Sequence, residues 1–114
     1  GLVVYRFGAP LYFANAPLFL DDVERIVTQA TVPVRWFVLD AEAMVDVDTT
    51  GSEVLKQAIA LLGKRNITFA VTRAHPSFRT WLEKYELLQL IDPGHFYPTN
   101  RHAAAAFRQE GHTA

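Results

Sequence analysis

The sequence predicts an α/β domain, with a mixed, mainly parallel β-sheet opened by an N-terminal hairpin and about four α-helices packed around it. Three observations carry the prediction. Short runs of β-branched and aromatic residues alternate with longer segments of helical periodicity. One of the short runs, Trp36-Phe37-Val38-Leu39, is continuously apolar, the pattern of a strand covered on both faces. Proline, glycine and asparagine fall at the junctions between these segments. A helix between successive strands requires a crossover, and crossovers leave the strands parallel.

In chain order, Leu2 to Phe7 reads as the first strand. Gly8-Ala9-Pro10 punctuates it, and Leu11-Tyr12-Phe13 reads as the returning strand of the hairpin. Asn15 and Pro17 signal a helix start, because Asn accepts an orphan N–H and Pro tolerates the first turn. Phe19, Val23, Ile26 and Ala30 give that helix its apolar stripe, and Pro33 stops it. After the Trp36 to Leu39 strand, Val54, Leu55, Ala58, Ile59, Leu61 and Leu62 make a second amphipathic helix, with Gly63-Lys64-Arg65-Asn66 as its end. Ile67 to Val71 is a further strand, and Pro76 opens a helix carrying Phe78, Trp81, Leu82 and Tyr85. Asp92-Pro93-Gly94 turns the chain into a short strand, His95-Phe96-Tyr97, and Asn100 caps the final helix.

At 114 residues, half of them hydrophobic, the chain suffices for one domain spanning 1–114 and burying one core. Eleven basic and twelve acidic residues leave a net charge of −1, so no global field attracts nucleic acid. Cysteine is absent, which removes disulfides, thiolate metal sites and cysteine nucleophiles, and fits a reducing compartment. No apolar run approaches the ~20 residues that span a bilayer. The chain opens with Gly1 rather than methionine, so it is expected to be a fragment of a longer protein.

The stretch Val45-Asp46-Val47-Asp48-Thr49-Thr50-Gly51 joins a predicted strand end to a predicted helix start, where sites form in parallel sheets. Thr50-Gly51-Ser52-Glu53 fits a capping box, in which the Thr50 hydroxyl and the Glu53 carboxylate satisfy each other's backbone amides. A phosphoryl group on Thr50 would meet the positive end of the helix dipole, while Asp46, Asp48 and Glu53 would repel it. Asp40, Glu42, Asp46 and Asp48 could instead gather a divalent cation for phosphotransfer. No glycine-rich phosphate cradle or arginine finger accompanies them, and no metal ligand set is assigned. His75, His95, His102 and His112 lack ligand spacing, and Ser52 and Ser77 have no paired base in sequence.

Leu11-Tyr12-Phe13-Ala14-Asn15-Ala16, Trp36-Phe37-Val38-Leu39-Asp40-Ala41 and Val47-Asp48-Thr49-Thr50-Gly51 together resemble a STAS domain. That family includes the anti-sigma factor antagonists and the cytoplasmic tails of sulfate permease-type anion transporters. The segment from Pro10 to Ala16 resembles the transporter branch. The resemblance implies a non-catalytic regulatory domain without cofactor, at the cytoplasmic face of the cell membrane. Its partners would be a transporter membrane domain in cis, and a second STAS domain or a cytoplasmic regulatory protein. In the antagonists the hydroxyl residue before the glycine is phosphorylated, which maps onto Thr50, and Asp46, Asp48, Thr49, Thr50 and Gly51 become the partner- or ligand-binding loop. The alternative is accordingly a free-standing antagonist switched at Thr50. Nucleotide binding, associated with some STAS domains, is a further implied ligand, although no phosphate loop is present.

Overall fold

The computed structural model describes residues 1–113, with side chains through residue 111. Four strands, β1 (Leu2–Arg6), β2 (Trp36–Asp40), β3 (Thr68–Thr72) and β4 (Phe96–Tyr97), form one sheet in the order β1-β2-β3-β4. Every pairing is parallel, with Leu2 beside Trp36, Trp36 beside Thr68 and Val71 beside Phe96. Four helices follow the strands in turn: α1 (Ala16–Gln29), α2 (Thr49–Lys64), α3 (Pro76–Lys84) and α4 (Asn100–Thr113).

The pleat of β2 divides the core. Phe37 and Leu39 point into the larger cluster with Phe19 and Val23 of α1, Leu55 and Leu62 of α2, and Phe78 and Leu82 of α3. Trp36 and Val38 point the other way, into a smaller cluster closed by Ala103 and Phe107 of α4. All five β2 residues are buried, as expected of a continuous apolar run between two helical layers. Phe37, Val38 and Leu39 each contribute about 1.5–3 kcal/mol by leaving water. The Tyr5 hydroxyl donates to Asp22 Oδ2 at 2.6 Å, tying β1 to α1.

The expected N-terminal hairpin is absent, so the sheet is parallel rather than mixed. Leu11 makes only a single parallel bridge, to Val47. Its N–H donates to the Asp46 carbonyl at 3.0 Å, and its carbonyl accepts from Asp48 N–H at 3.1 Å. Asn15 closes the segment into a turn, accepting from Tyr12 N–H and donating to the Pro10 carbonyl. Its amide is thus used ahead of α1 and makes no side-chain cap on that helix.

Two helix ends also differ from expectation. α2 runs through Gly63, and Asn66 (φ 57°) rather than that glycine takes the left-handed conformation after it. At the start of α4 the Thr99 hydroxyl accepts from His102 N–H at 3.1 Å, while the Asn100 side chain turns inward. An adjacent hydroxyl can cap, and that freed the amide for a buried carboxylate.

Candidate functional site

The loop from Asp46 to Gly51 lies at the carboxyl end of the sheet, between β2 and α2, and is built around two aspartates. Asp48 is the N-cap of α2. One carboxylate oxygen accepts from Gly51 N–H at 2.7 Å, and the other accepts from Phe13 N–H at 2.8 Å. One side chain therefore starts a helix and fastens the neighbouring loop to it. Asp46 accepts from the Tyr12 hydroxyl at 2.6 Å and from Val47 N–H at 3.0 Å. The bond to Asp46 raises the Tyr12 pKa, with smaller contributions from burial and the Asp46 and Asp48 charges.

Gly51 sits against the backbone of Leu11. A Cβ at position 51 would overlap the Leu11 carbonyl oxygen and stand 2.9 Å from its carbon. The glycine is required by this close approach, since the helix can meet the Leu11 strand segment only where it has no side chain.

The capping-box expectation at Thr50 and Glu53 is corrected here. Leu11 holds Asp48 N–H and fixes that residue in an extended conformation (ψ −179°), so the helix begins at Thr49 and Thr50 already lies inside it. Thr49 and Thr50 are both exposed, with their side chains outward. Ser52 is buried and its hydroxyl donates to the Thr49 carbonyl at 2.7 Å.

Beside this loop lies a network that the sequence reading did not assemble. Asp40, at the end of β2, is 3% exposed. It accepts from Asn100 Nδ2 at 3.0 Å, Glu42 N–H at 3.1 Å and Arg73 Nε at 3.2 Å. Burial pushes the Asp40 carboxyl up, but the Asn100 and Glu42 hydrogen bonds and the Arg73 charge together hold it below its ordinary value. Arg73 also meets Glu42 at 2.6 Å, and Arg6 meets the same carboxylate at 3.0 Å. The Thr72 hydroxyl donates to Asn100 Oδ1, so α4 is pinned to the ends of both β2 and β3. Arg73 occupies the left-handed region (φ 53°), held by the bond from its N–H to the Tyr97 carbonyl and by its two carboxylate partners. A charged pair at two adjacent strand ends, Asp40 and Arg73, was the signal available in the sequence.

These contacts define what the acidic residues can do. Asp40 and Glu42 face arginines, whereas Asp46 and Asp48 face N–H groups and a phenol. Among the described residues no three His, Cys, Asp or Glu side chains are arranged to hold a metal ion. His75 caps α3 by accepting from Ser77 N–H at 3.2 Å. Its Nδ1 is also 2.9 Å from the Ser77 hydroxyl, but that hydroxyl donates to the Val45 carbonyl, so the pair is a structural link between α3 and the loop. His95 lies edge-on to Trp36, and His102 Nδ1 is 2.6 Å from the Thr99 hydroxyl. The His112 side chain lies outside the described residues.

No helix among the described residues is long and apolar enough to cross a membrane. The family model for the STAS domain matches residues 1–103. A probable sulfate transporter of Mycobacterium tuberculosis is 42% identical over 109 residues, covering 96% of this chain and 20% of the relative. The chain thus spans about a fifth of the length of the curated relatives it matches. Among solved structures, the STAS domain of a SulP transporter from Vibrio cholerae superposes with a TM-score of 0.80 at 24% identity, covering 99% of this chain and 85% of that one. A putative anti-sigma factor antagonist from Thermotoga maritima superposes at 0.76 with 17% identity, covering 94% and 87%. With a family model spanning nearly its whole length and a parallel sheet whose second helix starts on Asp48-Thr49-Thr50-Gly51, the chain belongs to the STAS domain family.

Proposed function

We propose that this chain is the non-catalytic regulatory and interaction domain of a sulfate permease-type anion transporter. It works from the cytoplasmic face of the membrane, with the membrane domain in cis as its first partner. One observation carries the reading: 42% identity over 96% of the chain to a protein named as a probable sulfate transporter, of which the match occupies only 20%. The local chemistry supports a contact role. The polar groups of the Asp46 to Gly51 loop that could drive catalysis are engaged in holding the backbone, and the two free hydroxyls, Thr49 and Thr50, face solvent.

The test is anion uptake by the full-length gene product in membrane vesicles, with and without residues 1–114. Expected is a polypeptide carrying long apolar segments outside this chain, whose uptake of labelled sulfate is altered when the chain is deleted. A gene product without such segments, or uptake indifferent to the deletion, overturns the proposal.

A second reading is favoured by the exposure of Thr50 in the first turn of α2 and by the fold shared with an antagonist. Here Thr50 accepts a phosphoryl group from a partner kinase. The added dianion would be drawn to the helix terminus and repelled by Asp46 and Asp48, so it would alter the loop's surface rather than unfold it. Mass spectrometry after incubation with candidate serine/threonine kinases tests this, and an unmodified Thr50 counts against it.

A further inference from the structure

The strongest unexplained feature of the surface is an apolar corner beside the Asp46 to Gly51 loop. Phe13 is 71% exposed, Leu18 in the first turn of α1 is 58% exposed, and Tyr12 is 38% exposed. They are held, not loose: Phe13 N–H is bonded to Asp48 and the Tyr12 hydroxyl to Asp46. An exposed phenylalanine fixed by its own backbone, beside a leucine and a tyrosine, is surface that gains by being covered.

The charge around it is predominantly acidic. The segments that lead into and out of this corner, residues 6–25 and 35–56, hold eight of the twelve acidic residues and four of the eleven lysines and arginines, Arg6, Arg25, Arg35 and Lys56. Asp40 and Glu42 are neutralised by Arg73 and Arg6, and Asp22 by Arg25. Asp21, Asp46, Asp48 and Glu53 have no ion pair among the described residues. Asp21 is one residue short of a full turn beyond Leu18 on α1, and Glu53 is in the second turn of α2 beyond the exposed threonines. The corner is therefore an apolar centre flanked by carboxylates without an ion pair, of which Asp46 and Asp48 are also engaged by the Tyr12 hydroxyl and by backbone N–H groups.

We infer that this corner, centred on Phe13 and Leu18, docks a Lys/Arg-rich cytoplasmic loop of the membrane domain in the same polypeptide or its neighbouring copy. The inference rests on the transporter reading above and adds the surface and the chemistry of the contact. Loops on the cytoplasmic side of membrane proteins carry an excess of Lys and Arg, which complements the flanking carboxylates. The same carboxylates are repelled by the anionic cytoplasmic leaflet, which favours a basic protein loop over lipid headgroups as the occupant. About four-fifths of the length of the relatives lies outside the match, so a partner of this kind is available in cis.

The experiment uses the full-length polypeptide in its own membranes, with Phe13→p-benzoylphenylalanine as a photo-crosslinker. Val32→p-benzoylphenylalanine is the reference, because Val32 is comparably exposed but precedes β2, at the opposite end of the sheet. Expected are adducts from position 13 several-fold more abundant than from position 32, mapping to Lys/Arg-containing segments outside this chain. Their yield should fall with added salt, and fall several-fold in Asp21→Lys/Glu53→Lys, whose unfolding midpoint serves as the folding check. Equal yields at the two positions, or adducts on lipid or a separate protein, overturn the surface assignment while leaving the transporter reading in place. A yield indifferent to the two charge reversals overturns the electrostatic part. A polypeptide with no membrane segments overturns the transporter reading itself.

Discussion

Replacing Gly51 by alanine sets helix propensity directly against packing. Position 51 is the third residue of α2, and in an open helix a Gly→Ala change stabilises by about 1 kcal/mol. Here the new methyl would run into the Leu11 carbonyl, a backbone group that cannot swing aside like a flexible side chain. Relief requires α2 and the Leu11 segment to part. That would stretch the two bonds joining Leu11 to Asp46 and Asp48 and the Phe13 bond to Asp48. Overpacking costs about 1–3 kcal/mol, and the three bonds, stretched rather than broken, add about 2 kcal/mol between them. Set against the propensity gain, the net should be a loss of about 2–4 kcal/mol.

Gly63 supplies the contrast within the same helix. It also has negative φ, and a Cβ there would meet nothing within 4 Å. Gly63→Ala should therefore raise stability by about 0.5–1 kcal/mol. Urea unfolding followed by tryptophan fluorescence measures both. With a slope of about 1–3 kcal/mol per molar, Gly51→Ala should lower the midpoint by roughly 1–2 M, while Gly63→Ala raises it slightly. A Gly51→Ala midpoint at or above the parent's, with unchanged slope, would refute the claim that the helix start rests on the Leu11 backbone.

The remaining predictions concern individual side chains. Asp48→Ala should cost about 1–2 kcal/mol by removing the cap and the Phe13 anchor, whereas Thr50→Ala should stay within about 0.5 kcal/mol; equal losses in urea would return the cap to Thr50. Asp40→Asn should cost about 2 kcal/mol at neutral pH, because it removes the buried one of the two carboxylates that Arg73 faces and disturbs the bonds from Asn100 and Glu42. The folded-state pKa of Asp40 is depressed, so its contribution is complete above the unfolded value of about 4 and is lost as pH falls through the folded value. Parent and Asp40→Asn should therefore converge in acid unfolding, and a constant gap down to the lowest pH that retains the fold would contradict the assignment. Tyr5 has the opposite sign: burial and the bond to Asp22 raise its pKa, so its contribution holds below about 10 and is lost as pH rises. Tyr5→Phe should lose about 1 kcal/mol at neutral pH but become less sensitive to alkali, and an identical alkaline slope in the two proteins would count against the Tyr5 to Asp22 bond.

Periodicity made the strands, helices and the doubly covered β2 legible, because each reports on contacts within one segment and one face. Errors came where a residue had local and distant partners of similar worth. Leu11-Tyr12-Phe13 has strand composition, but Leu11 and Phe13 bond to residues more than thirty positions later instead of returning to β1. Asn100 is a good cap by type, yet Asp40, sixty residues earlier, claims its amide and leaves the cap to Thr99. The loop Asp48-Thr49-Thr50-Gly51 offered three capping residues in a row, and the Leu11 carbonyl decides among them. The Asp40–Arg73–Asn100 network joins the last residue of β2, the residue after β3 and the first residue of α4, so no window of sequence contains it.

The division of labour inside Asp48-Thr49-Thr50-Gly51 has a consequence for how function can be probed. The first residue is committed by its carboxylate, which holds two backbone amides, and the last by having no side chain where the Leu11 backbone passes. The two between them face solvent at the start of a helix, and hydroxyls there add little that alanine would forfeit. The fold thus depends on the outer pair, while the inner pair is free to serve whatever touches this corner. Thr49→Ala and Thr50→Ala separate the two demands: a loss of partner contact or altered anion uptake at unchanged unfolding midpoint is a functional effect. A similar loss from Asp48 or Gly51 variants could not be separated from a displaced helix.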